Sequence, residues 1–234
     1  MIDKSMRLIA HGLAAGHLQT VASGLENLSA EGPALIVARH YHHLYDGLAL
    51  FAAIHRPFHI VVSMDWVQNK WTKFFFETAN RLARWPTVLR RDALTRRAND
   101  QRSFFTEHDV IRYQRKAMRQ SVDLLVAGRL LVIFSEGYPN VDPVYTTKTE
   151  PEEFLPFKRG FLHIVAAAEK RLNQSIPIVP AGVHYTRGSP WIAHLRFGSP
   201  LYRDKNAAKE ELVKNLERAV KHLSSESASP CSPV

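Results

Sequence analysis

Apolar positions along the chain switch repeatedly between two periods, and the switches mark out its elements. Met6, Ile9, Leu13, Leu18, Val21, Leu25 and Leu28 fall near helical spacing behind Asp3 as a candidate N-cap, which predicts an amphipathic helix over 3–28 that stops before Glu31-Gly32-Pro33. Ala34 to Ala38 is then a continuous apolar run, the mark of a strand buried on both faces. A helix over about 43–54 follows, then a strand over 58–62. The next helix starts near Asp65, runs through Trp66, Trp71, Phe75 and Leu82, and is ended by Pro86. Thr87 to Arg90 is a weaker strand. From Glu107, residues Ile111, Met118, Val122 and Leu125 line one side of a long helix that Gly128 can close in a left-handed cap. Leu130 to Phe134 is the clearest strand. After a proline-punctuated loop over 138–156, residues 158–171 read as helix, 176–180 and 191–197 as extended, and 206–223 as helix.

Strands alternating with helices predict an α/β fold: a largely parallel central sheet covered by helices on both faces, with an N-terminal amphipathic helix. The chain divides into that helix (1–29), one folded domain (30–223) and a Ser/Pro-rich tail (224–234) expected to be disordered. In such a sheet, ligand chemistry belongs at the carboxyl ends of strands.

Composition narrows the class. With 234 residues, 45% of them hydrophobic, the chain can build one substantial core. Its 23% charged residues, 11 glycines and 13 prolines exclude disordered and collagen-like classes. The single Cys231 forms no internal disulfide or cysteine metal site, which fits a reducing compartment. No apolar run reaches the roughly 18 residues that a membrane-spanning helix needs. A net charge of +9 calls for an anionic partner: nucleic acid, a phospholipid surface or a phosphorylated substrate. Seven of those nine charges lie between Arg81 and Arg119, beside the aromatic segment Lys70-Trp71-Thr72-Lys73-Phe74-Phe75-Phe76. Three consecutive phenylalanines cannot all face one core, and aromatics mixed with Arg81, Arg84 and Trp85 suit a membrane interface as well as they suit packing.

The densest reactive cluster is Arg39-His40-Tyr41-His42-His43-Leu44-Tyr45-Asp46-Gly47, where the first buried strand ends. A histidine there can act as general base while a carboxylate accepts its other ring N–H and steadies the imidazolium. His42 and His43 stand four and three residues before Asp46, within reach on a helix. A zinc-hydrolase pattern H-x-H-x-D-H fails, because Leu44 and Tyr45 occupy its Asp and third His positions, so no metal is expected. A second constellation, Phe134-Ser135-Glu136-Gly137, delivers a carboxylate and a glycine at another strand end. Arg90-Arg91 and Phe157-Lys158-Arg159-Gly160 supply cations able to hold a phosphate.

In this order the pieces resemble the glycerolipid acyltransferases of the lysophosphatidic acid acyltransferase (1-acylglycerol-3-phosphate O-acyltransferase) type, over roughly residues 30–205. His40 with Asp46-Gly47 is similar to that family's first block, N-H-x-S-x-x-D-G, and Val88-Leu89-Arg90-Arg91 to its second. Phe134-Ser135-Glu136-Gly137 is similar to the third, F-P-E-G-T-R-S, and Ile178-Val179-Pro180-Ala181-Gly182-Val183 to the proline-centred fourth. Three departures stand out. Five residues rather than four separate His40 from Asp46, Arg39 replaces the usual Asn, and Tyr138-Pro139 replaces the Thr-Arg pair.

The resemblance implies transfer of a fatty acyl group from a thioester, on coenzyme A or acyl carrier protein, to a hydroxyl of a lysophospholipid in phospholipid biosynthesis. It implies no bound cofactor and a peripheral position on the cytoplasmic face of a membrane. His40 and Asp46 would be catalytic, with His42 or His43 as the alternative base, and backbone N–H groups near Gly137 would serve the oxyanion. Arg91, which Asp92 follows, Glu136, Gly137, Lys158, Arg159 and Pro180 would bind substrate. Two rival readings remain open on the residues: a catalytically altered relative that binds lipid or acyl chains, and a basic nucleic-acid-binding protein, which the resemblance does not favour.

Overall fold

The computed structural model describes residues 7–8, 10, 12–92, 105–143, 145–150, 152–204 and 208–226. The first long helix expected from periodicity is cut in two. Residues 12–14 are helical, and β1 (Leu18–Ser23) comes next. Gly16 and Gly24 bracket the strand at φ 76° and 73°, left-handed conformations that break a helix. Leu18, Val21, Leu25 and Leu28 satisfied a helical period by coincidence. Leu18, Thr20 and Ala22 turn inward at strand period while Gln19 and Val21 stay exposed. Residues 18–23 thus belong to the sheet, and the helix expected over 3–28 does not run through them.

The remaining elements keep the expected order and type, with β7 running six residues past the expected 176–180 and the strand expected over 58–62 split in two: β2 (Ala34–Ala38), α1 (Tyr45–Ala53), β3 (Phe58–Ile60), β4 (Val62–Ser63), α2 (Lys70–Ala83), β5 (Thr87–Val88), α3 (Glu107–Val126), β6 (Leu130–Phe134), α4 (Gly160–Leu172), β7 (Ile178–Thr186), β8 (Trp191–Phe197) and α5 (Lys209–Leu223). The expected start of α5 at Asn206 and the tail residues 227–234 lie outside the described residues.

Six strands form one sheet in the order β1-β8-β7-β2-β6-β3, parallel throughout except between β7 and β8. Alternation along β2 sorts the core into two layers. Ala34, Ile36 and Ala38 face α1, where Leu48, Leu50, Phe51 and Ile54 pack on them. Leu35 and Val37 face Leu124, Leu125, Phe161, Val165, Leu216 and Val220 on α3, α4 and α5. Covered on both faces, β2 buries all five of its residues, which is why it reads as an unbroken apolar run.

Past Ile60 the chain leaves this sheet. The Val61 N–H still bonds to Val132, but Val62 and Met64 donate to Pro86 and Val88, so β4 pairs with β5 as a two-stranded annex. Met64, Val67, Leu89, Phe105, Val110 and Tyr113 fill the cluster beneath it. Asp65 does not start α2 as expected. Asn69 does, its side chain accepting the Thr72 N–H at 2.8 Å.

Candidate active site

β2 and β6 are neighbours in register, Ala38 beside Phe134, so the loops leaving their carboxyl ends bring His40 and Glu136 side by side. His40 comes two residues after the strand's last residue, Ala38. Its ring stacks on Phe134 with centroids 4.4 Å apart, and its Nδ1 lies 2.8 Å from Asp46 Oδ2. With Nδ1–H given to the carboxylate, Nε2 is left as the acceptor, and among the described residues it has no hydrogen-bond partner. The imidazole edge is partly open to solvent, at 18% side-chain exposure against 3% for Asp46.

Asp46 occupies the first turn of α1, where the helix dipole favours a carboxylate. Its oxygens also accept the backbone N–H of Tyr41 at 2.7 Å and of His42 at 3.1 Å, and the Tyr185 hydroxyl at 2.7 Å. These donors fix both oxygens and aim one at His40. Burial, and next the negative charge of Asp46, push the Tyr185 phenol well above its ordinary range and keep it a donor. Tyr185 carried no motif signal in the sequence. Its only trace there is its inward parity with Ala181 and Val183 on β7.

The other two histidines have different jobs. His42 Nδ1 accepts the N–H groups of Leu44 and Tyr45 at 3.2 and 3.1 Å, capping α1, and the ring stacks on Tyr45. Burial, with help from His43, lowers the His42 pKa to about 4, as suits a nitrogen that must accept. His43 is exposed, its Nδ1 3.3 Å from the Val141 carbonyl. Both precede α1 rather than lie on it, so the i,i+3 and i,i+4 geometry that would carry their rings to Asp46 does not arise. The extra residue in the His40–Asp46 spacing is absorbed in this capping loop.

Glu136 is placed behind His40, not toward open space. It is 1% exposed, and its oxygens accept the His40 N–H and the Leu155 N–H, both at 3.0 Å. Lys148 Nζ meets it at 2.6 Å with neither side chain exposed, and also donates to the His40 carbonyl at 2.9 Å and to Asn140 Oδ1 at 2.8 Å. Burial lowers the Lys148 pKa against the pull of Glu136. Substrate contact expected of Glu136 gives way to a buried ion pair that grips the His40 backbone from both sides. Lys148 was invisible in sequence, lying in an aperiodic loop.

A cationic group flanks this centre. Arg90 donates from Nε and NH2 to Asp65 at 3.0 and 2.6 Å, and from NH1 to the Gly137 carbonyl at 2.6 Å, while its guanidinium lies 4.0 Å from the Tyr138 ring centroid. It is Arg90, not Arg91, that is built into the wall, and Arg91 is exposed at the next position. Lys158 reaches the same place, its Nζ 5.2 Å from the Tyr138 centroid and 3.6 Å from Asp92. Glycine at 137 is required by the backbone, whose φ of 79° is a left-handed conformation that other side chains rarely adopt. Its N–H closes a turn onto the Phe134 carbonyl, so Gly137 itself offers no donor to an oxyanion. Two residues fall away from the cluster. Arg159 pairs with Glu210 at 2.7 Å on the surface, and Pro180 is buried within β7 opposite Val37. Among the described residues, no group of His, Cys, Asp and Glu could hold a metal ion.

A largely parallel sheet whose strand ends present a carboxylate-oriented histidine next to cations can take a proton from a hydroxyl held beside an anionic group. A family model described as Acyltransferase matches residues 19–184, and the chain belongs to that family, as the four sequence blocks indicated. The fold also matches the crystal structure of the 1-acyl-sn-glycerophosphate (LPA) acyltransferase, PlsC, from Thermotoga maritima, with TM-score 0.56 and 17% identity over 94% of this chain and 75% of that one. No curated protein matches the chain at a significant level.

Proposed function

We propose that this acyltransferase moves a fatty acyl group from an acyl thioester, on coenzyme A or acyl carrier protein, to a free hydroxyl of a lysophospholipid such as lysophosphatidic acid, a step of phospholipid biosynthesis. The observation that carries the reading is the 2.8 Å contact between His40 Nδ1 and Asp46, which leaves Nε2 facing outward as a base. His40 Nε2 takes the proton of the acceptor hydroxyl as its oxygen attacks the thioester carbonyl carbon. Asp46 steadies the imidazolium through Nδ1–H. The tetrahedral intermediate then collapses, the C–S bond breaks, and the imidazolium returns its proton to the departing thiolate. Neither a covalent enzyme intermediate nor a cofactor is involved.

Lys158, whose ammonium lies at the Tyr138 ring beside Gly137, and Arg91, exposed next to Arg90, are the cations we assign to an acceptor phosphate, with Arg90 and Gly137 shaping the wall. Glu136 and Lys148 act as positioning residues. An insoluble acceptor calls for peripheral association with a membrane, on the cytoplasmic face if the thioester is supplied there. No described helix is long and apolar enough to cross one. The test is incubation of the purified chain with labelled acyl-coenzyme A or acyl carrier protein and a panel of lysolipids. Label should appear in a diacyl phospholipid, and absence of product with every acceptor would refute the reading.

A further inference from the structure

The helix α2 is mounted with its apolar side outward. Trp71, Phe75, Thr78 and Leu82 follow one another at intervals of four, three and four residues, and Phe74 adjoins them, so these side chains share about a third of the helix circumference. Trp71 is 84% exposed, Phe74 67%, Phe75 65% and Leu82 57%. The residue that α2 buries is a polar one, Asn80, whose amide reaches Met64 Sδ and Thr87 Oγ1 at 3.4 Å. Phe76 alone of the three phenylalanines turns inward, edge-on to Trp66. Lone exposed apolar residues are ordinary, but four large ones aligned on a 14-residue helix form a contiguous patch that calls for a partner.

Charge and placement identify that partner. By helical spacing Lys70 and Arg81 border the stripe next to Phe74, and exposed Arg84 caps the helix end. Trp and Phe beside Lys and Arg, on a helix too short and too charged to span a bilayer, is the composition of a segment that lies in the headgroup region of anionic lipid. The helix also points the right way. β4 runs toward the carboxyl ends of the strands and α2 returns from there, the carbonyl of its last residue, Ala83, lying 3.1 Å from Nδ1 of His59 in the middle of β3. Trp71, Phe74 and Phe75 therefore stand at the end of the sheet that holds His40, within a short loop of Asp65 and Arg90.

We infer that the outer face of α2, with Trp71, Phe74, Phe75 and Leu82 as its apolar stripe and Lys70 and Arg81 as its cationic border, docks on anionic phospholipid and brings the His40 end of the sheet to the membrane. This surface serves the lysophospholipid reading above and rests on it for its purpose, but it can fail independently. The test compares the full chain with the variant W71A/F74A/F75A in sedimentation with phosphatidylglycerol and with phosphatidylcholine vesicles. Acyl transfer to a short-chain, vesicle-free lysolipid is measured in parallel.

The wild-type chain should sediment with phosphatidylglycerol vesicles and weaken as salt rises, and the variant should bind roughly tenfold less or worse. Turnover of the soluble acceptor should stay within about twofold. Vesicle-induced blue shift of tryptophan emission should vanish in Trp71→Phe, which retains Trp66, Trp85 and Trp191. A variant that sediments like wild type, or a wild-type chain that binds neither vesicle or binds RNA in their place, overturns the docking surface and leaves the transfer reaction standing. Absence of soluble-acceptor turnover in both proteins refutes the reaction instead, whatever the vesicles show.

Discussion

Two regions of this molecule invert the usual distribution of polar and apolar groups, in opposite senses. Beneath His40, ionisable side chains that ordinarily face water are buried: Asp46, Glu136 and Lys148 are each under 8% exposed. On α2, rings that ordinarily pack inside face water. The buried charges are tolerated because every one has several partners, and removing a partner exposes the full desolvation cost. The exposed rings have little to lose, Phe75 meeting the edge of its neighbour Phe76 on the same helix. The first inversion therefore should be expensive to disturb and the second nearly free for folding, although both serve the same end of the sheet.

That contrast ranks the expected effects. Lys148→Met leaves Glu136 buried without its counter-ion and should destabilise the fold by about 3–5 kcal/mol. Lys148→Met with Glu136→Gln should recover part of that loss. Urea midpoints of the three proteins measure it, and a double variant no better than the single would show that the two groups are not coupled. Asp46→Asn keeps the shape but loses charge toward His40 and should lower turnover by about 10²-fold or more, with a smaller cost in stability, read from kcat and thermal unfolding together. In α2, Trp71→Ala and Phe75→Ala should each shift stability by no more than about 0.5 kcal/mol, where Leu50→Ala in the α1 layer should cost about 2–5 kcal/mol. Equal losses at both places would mean that the outer stripe is packed after all.

A pH effect sharpens the same boundary. His42 has a folded pKa of about 4 against an ordinary 6.5, so the unfolded chain binds more protons between those values and stability falls as pH drops through that window. Above about pH 6.5 this contribution is complete. Urea midpoints at about pH 7.5, 6 and 4.5 should decline, and His42→Asn, which keeps an acceptor for the Leu44 and Tyr45 N–H groups, should decline less steeply. Parallel declines would remove His42 from the account.

Much of the fold was legible because burial writes itself as period. The five-residue runs of β2 and β6 could be read directly, but of the expected α3 stripe only the C-terminal part holds: Val122 and Leu125 are buried, while Ile111 is exposed and Val110, Tyr113 and Ala117 turn inward there. The N-terminal segment could not, since Leu18, Val21, Leu25 and Leu28 satisfy a helical spacing by accident and Gly16 and Gly24 decide the matter. At the site, residues on strand ends were visible, because a buried strand fixes the position of the next residue or two. Lys148 was not, because it comes from a loop whose path depends on tertiary contacts alone. That Arg90 is the arginine held in the wall turned on its meeting Asp65, a contact 25 residues away in sequence. The histidine question turned on where α1 begins, an end that pattern locates only to within a few residues.

The central claim is that His40, and not its two neighbours, is the base. His40→Ala, His42→Asn and His43→Ala should be assayed side by side for acyl transfer from labelled acyl thioester to lysophosphatidic acid. Loss of about 10²- to 10⁴-fold in kcat for His40→Ala, with His42→Asn and His43→Ala within about tenfold of wild type, is the predicted result. Retained activity in His40→Ala, or a collapse confined to His42→Asn or His43→Ala, would contradict it.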